Sequence, residues 1–316
     1  MAGLSERFLR RLLIVLLAAL APLSGCNTPA EPAALPSSTA ADVGQLRIVS
    51  LAPHLAELVF AVGAGDLLVG VTAYTDYPDA AAALPLIGDA FAIDQEQLAV
   101  LKPDLLLAWK SGTPAHVVDE LRKRGYRVET IRTQGLNDVA SALEHLGRLT
   151  GRETPAADAA KEFRQGIEMI ASRYSTAQPI SVFYQVSNRP LYTVNRDHFV
   201  SQLIDRCGGR NIFRDLNSLA PLVDVEAVLA RNPEVLLASD DAPADAFGVW
   251  NRWPELAANR YGNRFFLPAN EIGRATPRLV LAGKTLCAAL EKARRNRAGA
   301  SGTGPGGPRG EQDRTG

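Results

Sequence analysis

Short apolar runs alternate with segments of helical period along most of this chain. Arg47-Ile-Val-Ser-Leu51 reads as a strand that ends before Pro53, and Leu55 to Val62 has the spacing of a helix closed by Gly63. Leu68 to Val71 is the next strand and runs into a turn-rich loop, Thr72 to Pro78. A helix follows over Ile93 to Leu101. Leu105 to Ala108 is then a continuous apolar run, as expected of a parallel strand buried on both faces. Helix Val117 to Lys123 and strand Arg127 to Ile131 complete a first lobe, residues 46–154. The alternation resumes with strand Ile180 to Gln185, helices Phe199 to Arg206 and Val225 to Ala230, and strand Val235 to Ala238, within a second lobe over 178–295. Strands that alternate with helices predict an α/β protein of two lobes, each a mostly parallel sheet flanked by helices.

The segment between the lobes, 155–177, places Ala160, Phe163, Ile167 and Ile170 at spacings of three and four, the apolar face of one long helix. A single helical connector is rigid and predicts limited hinge motion rather than wide closure.

The lobes are also related to each other. Asp94, Glu96, Pro103, Asp104 and the run ending at Ala108 recur as Asp224, Glu226, Pro233, Glu234 and the run ending at Ala238, every pair 130 residues apart. A long fixed period marks a unit built twice. Two lobes with a cleft between them suit a protein that holds a small molecule at their interface.

Both ends differ in composition. Arg7, Arg10 and Arg11 precede an apolar stretch, Leu12 to Leu20, that is short for a membrane span, and Leu23-Ser24-Gly25-Cys26 follows. Residues 1–26 thus read as an export signal. The four residues ending at Cys26 resemble the lipobox of bacterial lipoproteins, which implies cleavage before Cys26 and its lipidation. Residues 27–45 are rich in Ala, Pro, Ser and Thr and read as a flexible tether, and 296–316 read as a disordered tail. With 34 basic and 34 acidic side chains the formal net charge is zero, so nothing points to nucleic acid. If Cys26 is lipidated, Cys207 and Cys287 remain. In an exported protein an even pair reads as a disulfide, the alternative being two buried thiols.

Catalytic chemistry finds no support. There is no phosphate-binding loop, nucleophile elbow or metalloprotease helix, and Gly63 and Gly65 follow a helix rather than a strand. The four histidines, His54, His116, His145 and His198, are too scattered for a zinc site. No catalytic residue, metal site or resident cofactor is assigned.

Three stretches carry a family resemblance: Arg47-Ile-Val-Ser-Leu-Ala-Pro-His-Leu-Ala-Glu-Leu58, Gly70-Val-Thr-Ala-Tyr-Thr-Asp-Tyr-Pro78 and Leu101-Lys-Pro-Asp-Leu-Leu-Leu-Ala-Trp109. Val182 to Gln185, Cys207 to Phe213 and Arg274-Ala-Thr-Pro-Arg278 continue it. The sequence resembles the helical-backbone substrate-binding proteins of ABC importers over about residues 47–292. That group serves cobalamin, siderophores and haem, and the cobalamin-binding members carry the strongest likeness.

The resemblance implies roles. Glu96 and Glu226 match outer-tip residues that meet arginines of the importer's membrane subunits, and their place in the repeat fits two equivalent faces. Alternatively, both simply favour a helix N-terminus. Tyr74 matches a cleft aromatic and Arg274 a cleft arginine. Asn270 stands where cobalamin-binding members carry an acid, and Trp109 ends the buried strand, where α/β sheets gather ligands. Ala90 and Ala220 depart from the pattern, which favours bulky aromatics there, while Phe91 and Tyr192 offer replacement surface.

The expected ligand is cobalamin or a related corrinoid, carried as cargo to the membrane subunits of an importer by a lipid-anchored protein. A ferric siderophore, drawn by Arg274 and Arg278, or haem, ligated by Tyr74 or His54, is the alternative within the same fold. A sensor or enzyme of the cell envelope is the alternative from another class.

Overall fold

The computed structural model describes residues 45–302. Cys26, nearly all of the 27–45 tether and the chain beyond Gly302 lie outside them. The first lobe runs β1 (Ile48–Ser50), α1 (Pro53–Ala61), β2 (Leu68–Val71), α2 (Asp79–Ala82), α3 (Gln95–Leu101), β3 (Leu105–Trp109), α4 (Ala115–Lys123), β4 (Val128–Ile131) and α5 (Leu136–Thr150). Its four strands form one parallel sheet in the order β2-β1-β3-β4. The connector is α6 (Glu153–Arg173).

The second lobe runs β5 (Ile180–Tyr184), a small antiparallel hairpin β6 (Ser187–Asn188) and β7 (Leu191–Tyr192), α7 (Phe199–Arg206), β8 (Gly209–Asn211), α8 (Val225–Arg231) and β9 (Val235–Ser239). It ends with α9 (Ala257–Arg260), β10 (Arg264–Leu267), α10 (Ala269–Ile272) and α11 (Leu279–Gly302). Its parallel sheet, β10-β9-β5-β8, has the order of the first when β5 stands for β1 and β9 for β3.

The 130-residue repeat is a repeat of local physics. Asp94 caps α3 by accepting from the amides of Glu96 and Gln97 at 3.0 and 2.9 Å, and Asp224 caps α8 by accepting from that of Ala227 at 2.7 Å. Both helices end on a left-handed residue, Lys102 (φ 44°) and Asn232 (φ 42°), just before the repeated proline. The turn then leads into β3 or β9. The acid after each proline clamps the neighbouring strand: Asp104 accepts from the Arg47 amide at 2.8 Å, and Glu234 from the Ser181 amide at 2.9 Å.

A continuous core joins the lobes. Ala156, Ala160, Phe163, Gly166, Ile167 and Ile170 form the buried face of α6 and meet Leu143 and Leu146 of α5, Leu203 of α7 and Leu286 of α11. Gly166 brings α6 so close to α11 that a Cβ there would lie 2.8 Å from Val280. Burying one apolar surface across both lobes opposes wide separation of their sheets. Cys207, at the end of α7, is bonded to Cys287 of α11, with Cα atoms 5.0 Å apart. Two expectations change. The connector helix α6 begins at Glu153, ahead of the 155–177 segment, so Pro155 lies within its first turn, where its missing N–H costs nothing. Helix α11 runs to Gly302, so residues 296–302 are helical. Among the described residues no helix is long and apolar enough to cross a membrane.

Candidate ligand cleft

Parallel strands deliver their next residues to a common edge, and the cavity lies there. The ends of β1 and β2 supply Ala52-Pro53-His54 and Thr72-Ala73-Tyr74; the loop into α3 supplies Asp89-Ala90-Phe91. The ends of β3 and β4 supply Trp109, Gly112 and Thr133. The second lobe contributes His198 and Phe199 at the start of α7, and Gly273, Arg274 and Ala275 after α10. The cavity measures about 520 Å³, within the usual range for small-molecule sites.

Four candidate residues come together in it: Tyr74, Phe91, Trp109 and Arg274. Tyr74 and Phe91 stand at the mouth, 83 % and 73 % exposed, and Trp109 forms an inner wall. Ala90 lies beside Phe91, so the space opened by its small side chain belongs to the cavity. Asn270, exposed on α10, and Tyr192, 37 % exposed on β7, are not lining residues. Glu96 and Glu226 are exposed in the first turns of α3 and α8, with Glu96 five residues beyond Phe91.

Trp109 is tightly positioned. His54 meets its ring edge-on at 5.0 Å, and a Cβ on Gly112 would fall 1.8 Å from the indole. The Nε2 of His54 is 3.1 Å from the Thr133 hydroxyl. Burial first, then the charge of Arg274, pushes the His54 pKa down to about 3, so the ring is neutral at physiological pH. Burial likewise lowers His198 to about 4, although part of its ring stays exposed and water moderates the effect. Its Nδ1 accepts from the Val200 amide at 3.2 Å, which needs the neutral ring. Asp89 accepts from the Phe91 and Ala92 amides at 2.8 Å; these bonds hold its pKa below the ordinary value and fix the loop. The Thr72 hydroxyl and the Trp109 indole N–H are buried without a protein partner.

The charged groups that organise the cleft lie far apart in sequence. Glu57 on α1, its side chain only 3 % exposed, receives Arg274 Nη1 at 2.8 Å and Arg278 Nε and Nη2 at 3.0 and 2.8 Å. Arg274 also donates to Asp76 and, at 2.9 Å, to the Tyr74 carbonyl. Arg278 lies over the Tyr77 ring, 4.2 Å from its centre. Arg274 is therefore an inter-lobe tie rather than a free cation. Its hydrogen bonds to Asp76 and Glu57 outweigh the opposing effect of burial and leave its pKa raised. Glu57, Asp76 and the role of Arg278 as a tie have no local sequence signal.

Residues 48–270 match the model of a periplasmic binding protein family, and the chain belongs to that family. It is 36 % identical over 250 residues to the vitamin B12-binding protein of Vibrio cholerae serotype O1, covering 79 % of this chain and 90 % of that one. The crystal structure of the periplasmic vitamin B12 binding protein BtuF of Vibrio cholerae superposes with a TM-score of 0.71 at 36 % identity, over 79 % of this chain and 98 % of that one. A periplasmic heme binding protein from Pseudomonas aeruginosa gives a TM-score of 0.66 at 26 % identity, over 77 % and 91 % of the two chains. The relationship spans both lobes and is one of binding proteins, not enzymes.

Proposed function

We propose that this protein captures cobalamin or a related corrinoid between its lobes and delivers it to the membrane subunits of an ABC importer. The observation that carries the reading is the electrostatics of an aromatic cleft. Among the described residues lining the cavity, Arg274 is the one permanent cation, and Glu57 and Asp76 already neutralise it. His54 and His198 are neutral, and Asp89 is acidic. Such a site offers no unpaired positive charge to haem propionates or an anionic ferric siderophore. It suits a broad, largely apolar ring edged with amides, which Tyr74, Phe91 and Trp109 can cover. A polar ligand edge is also one way to satisfy the Thr72 hydroxyl and the Trp109 indole. Asn270 and Tyr192 belong to this reading as rim contacts outside the cavity.

Glu96 and Glu226 are the docking residues, one on each lobe. Their exposure in the first turns of two helices related by the 130-residue repeat supports this reading. Cys26 carries the lipid anchor, and the 27–45 segment tethers the lobes to the membrane. Haem remains a second reading through the exposed Tyr74 hydroxyl. Transport tests the proposal: cells lacking the gene should lose uptake of labelled cyanocobalamin. The wild-type gene should restore it, and Glu96→Ala with Glu226→Ala should not. Undiminished uptake in the deletion strain would refute the transport role.

A further inference from the structure

We infer that Glu57 is a positioning residue for ligand capture, acting through Arg274 and Arg278 to hold the Tyr74–Tyr77 loop of the first lobe in its binding position. The inference rests on the proposal that the cleft takes a corrinoid, and it assigns Glu57 a role without ligand contact.

The contacts form a chain. Glu57 is on α1, in the body of the first lobe, and its carboxylate binds both second-lobe arginines through three hydrogen bonds of 2.8–3.0 Å. A buried carboxylate needs such partners, and the arginines need it equally. Arg274 then turns back to the first lobe. It reaches the Tyr74 carbonyl and the Asp76 carboxylate, while Arg278 covers the Tyr77 ring. The loop at the mouth is thus gripped at three residues by side chains from the opposite lobe, and Glu57 fixes where those side chains stand.

The loop requires such a grip. Tyr74 has φ 67°, in the left-handed region that a tyrosine enters only when its surroundings impose it. Its side chain is 83 % exposed, so packing of the ring does not impose that conformation. The hydrogen bond from Arg274 falls on the carbonyl of this same residue. One buried carboxylate therefore links the relative placement of the lobes to the orientation of the most exposed aromatic at the mouth.

The test compares the intact protein with Glu57→Gln, Tyr74→Ala and the double variant by calorimetric titration with cyanocobalamin. Fluorine NMR of ligand-free, 3-fluorotyrosine-labelled protein gives a second readout. Glu57→Gln should weaken binding by roughly tenfold or more, and the signal of Tyr77, whose ring Arg278 covers, should move towards that of free tyrosine. In the Tyr74→Ala background Glu57→Gln should cost much less affinity, because the residue it positions is gone. A merely structural role would cost the same in both backgrounds, and that result would overturn the inference, as would an unmoved Tyr77 signal. Asp76→Asn, at a half-exposed site, cuts the grip without emptying the buried position and should act in the same direction should Glu57→Gln fail to fold. If wild-type protein ignores cyanocobalamin, the corrinoid reading falls, and the Tyr77 signal alone then decides the role of Glu57.

Discussion

Acidification should weaken this fold through His54, by an amount that its burial sets. The folded ring has a pKa of about 3, against 6.5 in an unperturbed chain. Above pH 6.5 both states hold a neutral ring, and nothing is lost. Below it the unfolded chain takes up a proton that the folded chain refuses, so stability falls with pH until the folded value is approached. At pH 5 this difference amounts to about 2 kcal/mol from His54 alone. Urea unfolding at pH 8 and pH 5 measures it, with His54→Gln as the reference. A glutamine amide can keep a bond to Thr133 but does not titrate. The variant starts from a lower stability, so the informative quantity is the change between the two pH values. Wild type should lose about 2 kcal/mol more than the variant. Equal losses would refute the buried, neutral assignment. His198 should act in the same direction but more weakly, because its ring is partly open to water.

Replacing Cys207 and Cys287 together by Ser should lower unfolding stability by roughly 3–5 kcal/mol in the chain-entropy account, because the bridge closes a span of 80 residues; an unchanged denaturation midpoint would contradict it. Glu96→Ala with Glu226→Ala should leave cyanocobalamin affinity within about twofold of wild type, about 0.4 kcal/mol, while stopping uptake. A large affinity loss in that variant would place these residues in ligand binding instead of docking.

The legible parts of the fold were those written in short sequence. Helical spacing and buried apolar runs place α3, β3, α8 and β9 to within a residue or two, and the 130-residue period ties them together. Spacing also gives the buried face of α6. By contrast, α5 has helical spacing at Leu136, Val139, Leu143 and Leu146, yet it stands where no strand follows, and the alternation of strand and helix gives it no place. The mixture of alanine and basic residues towards the end of α11 reads as a tail until its packing is seen.

The cleft divides the same way. Trp109 ends a buried strand and is found by position, whereas Tyr74 and Phe91 are legible only through the family resemblance. The Glu57 network joins residues 217 and 221 positions apart, across two lobes, and changes the meaning of Arg274 from a free ligand contact to a tie. No local pattern encodes that pairing; it exists only once the common core has brought α1 and the start of α11 together.

The central claim is that an aromatic cleft whose single arginine is already neutralised selects a neutral corrinoid. Calorimetric titration of the purified protein with cyanocobalamin, haemin and an anionic ferric catecholate, side by side under one set of conditions, tests it most directly. The account predicts submicromolar binding of cyanocobalamin, with little or no heat from the other two. Tight binding of haemin or the ferric chelate with no response to cyanocobalamin would contradict it and move the cargo to iron.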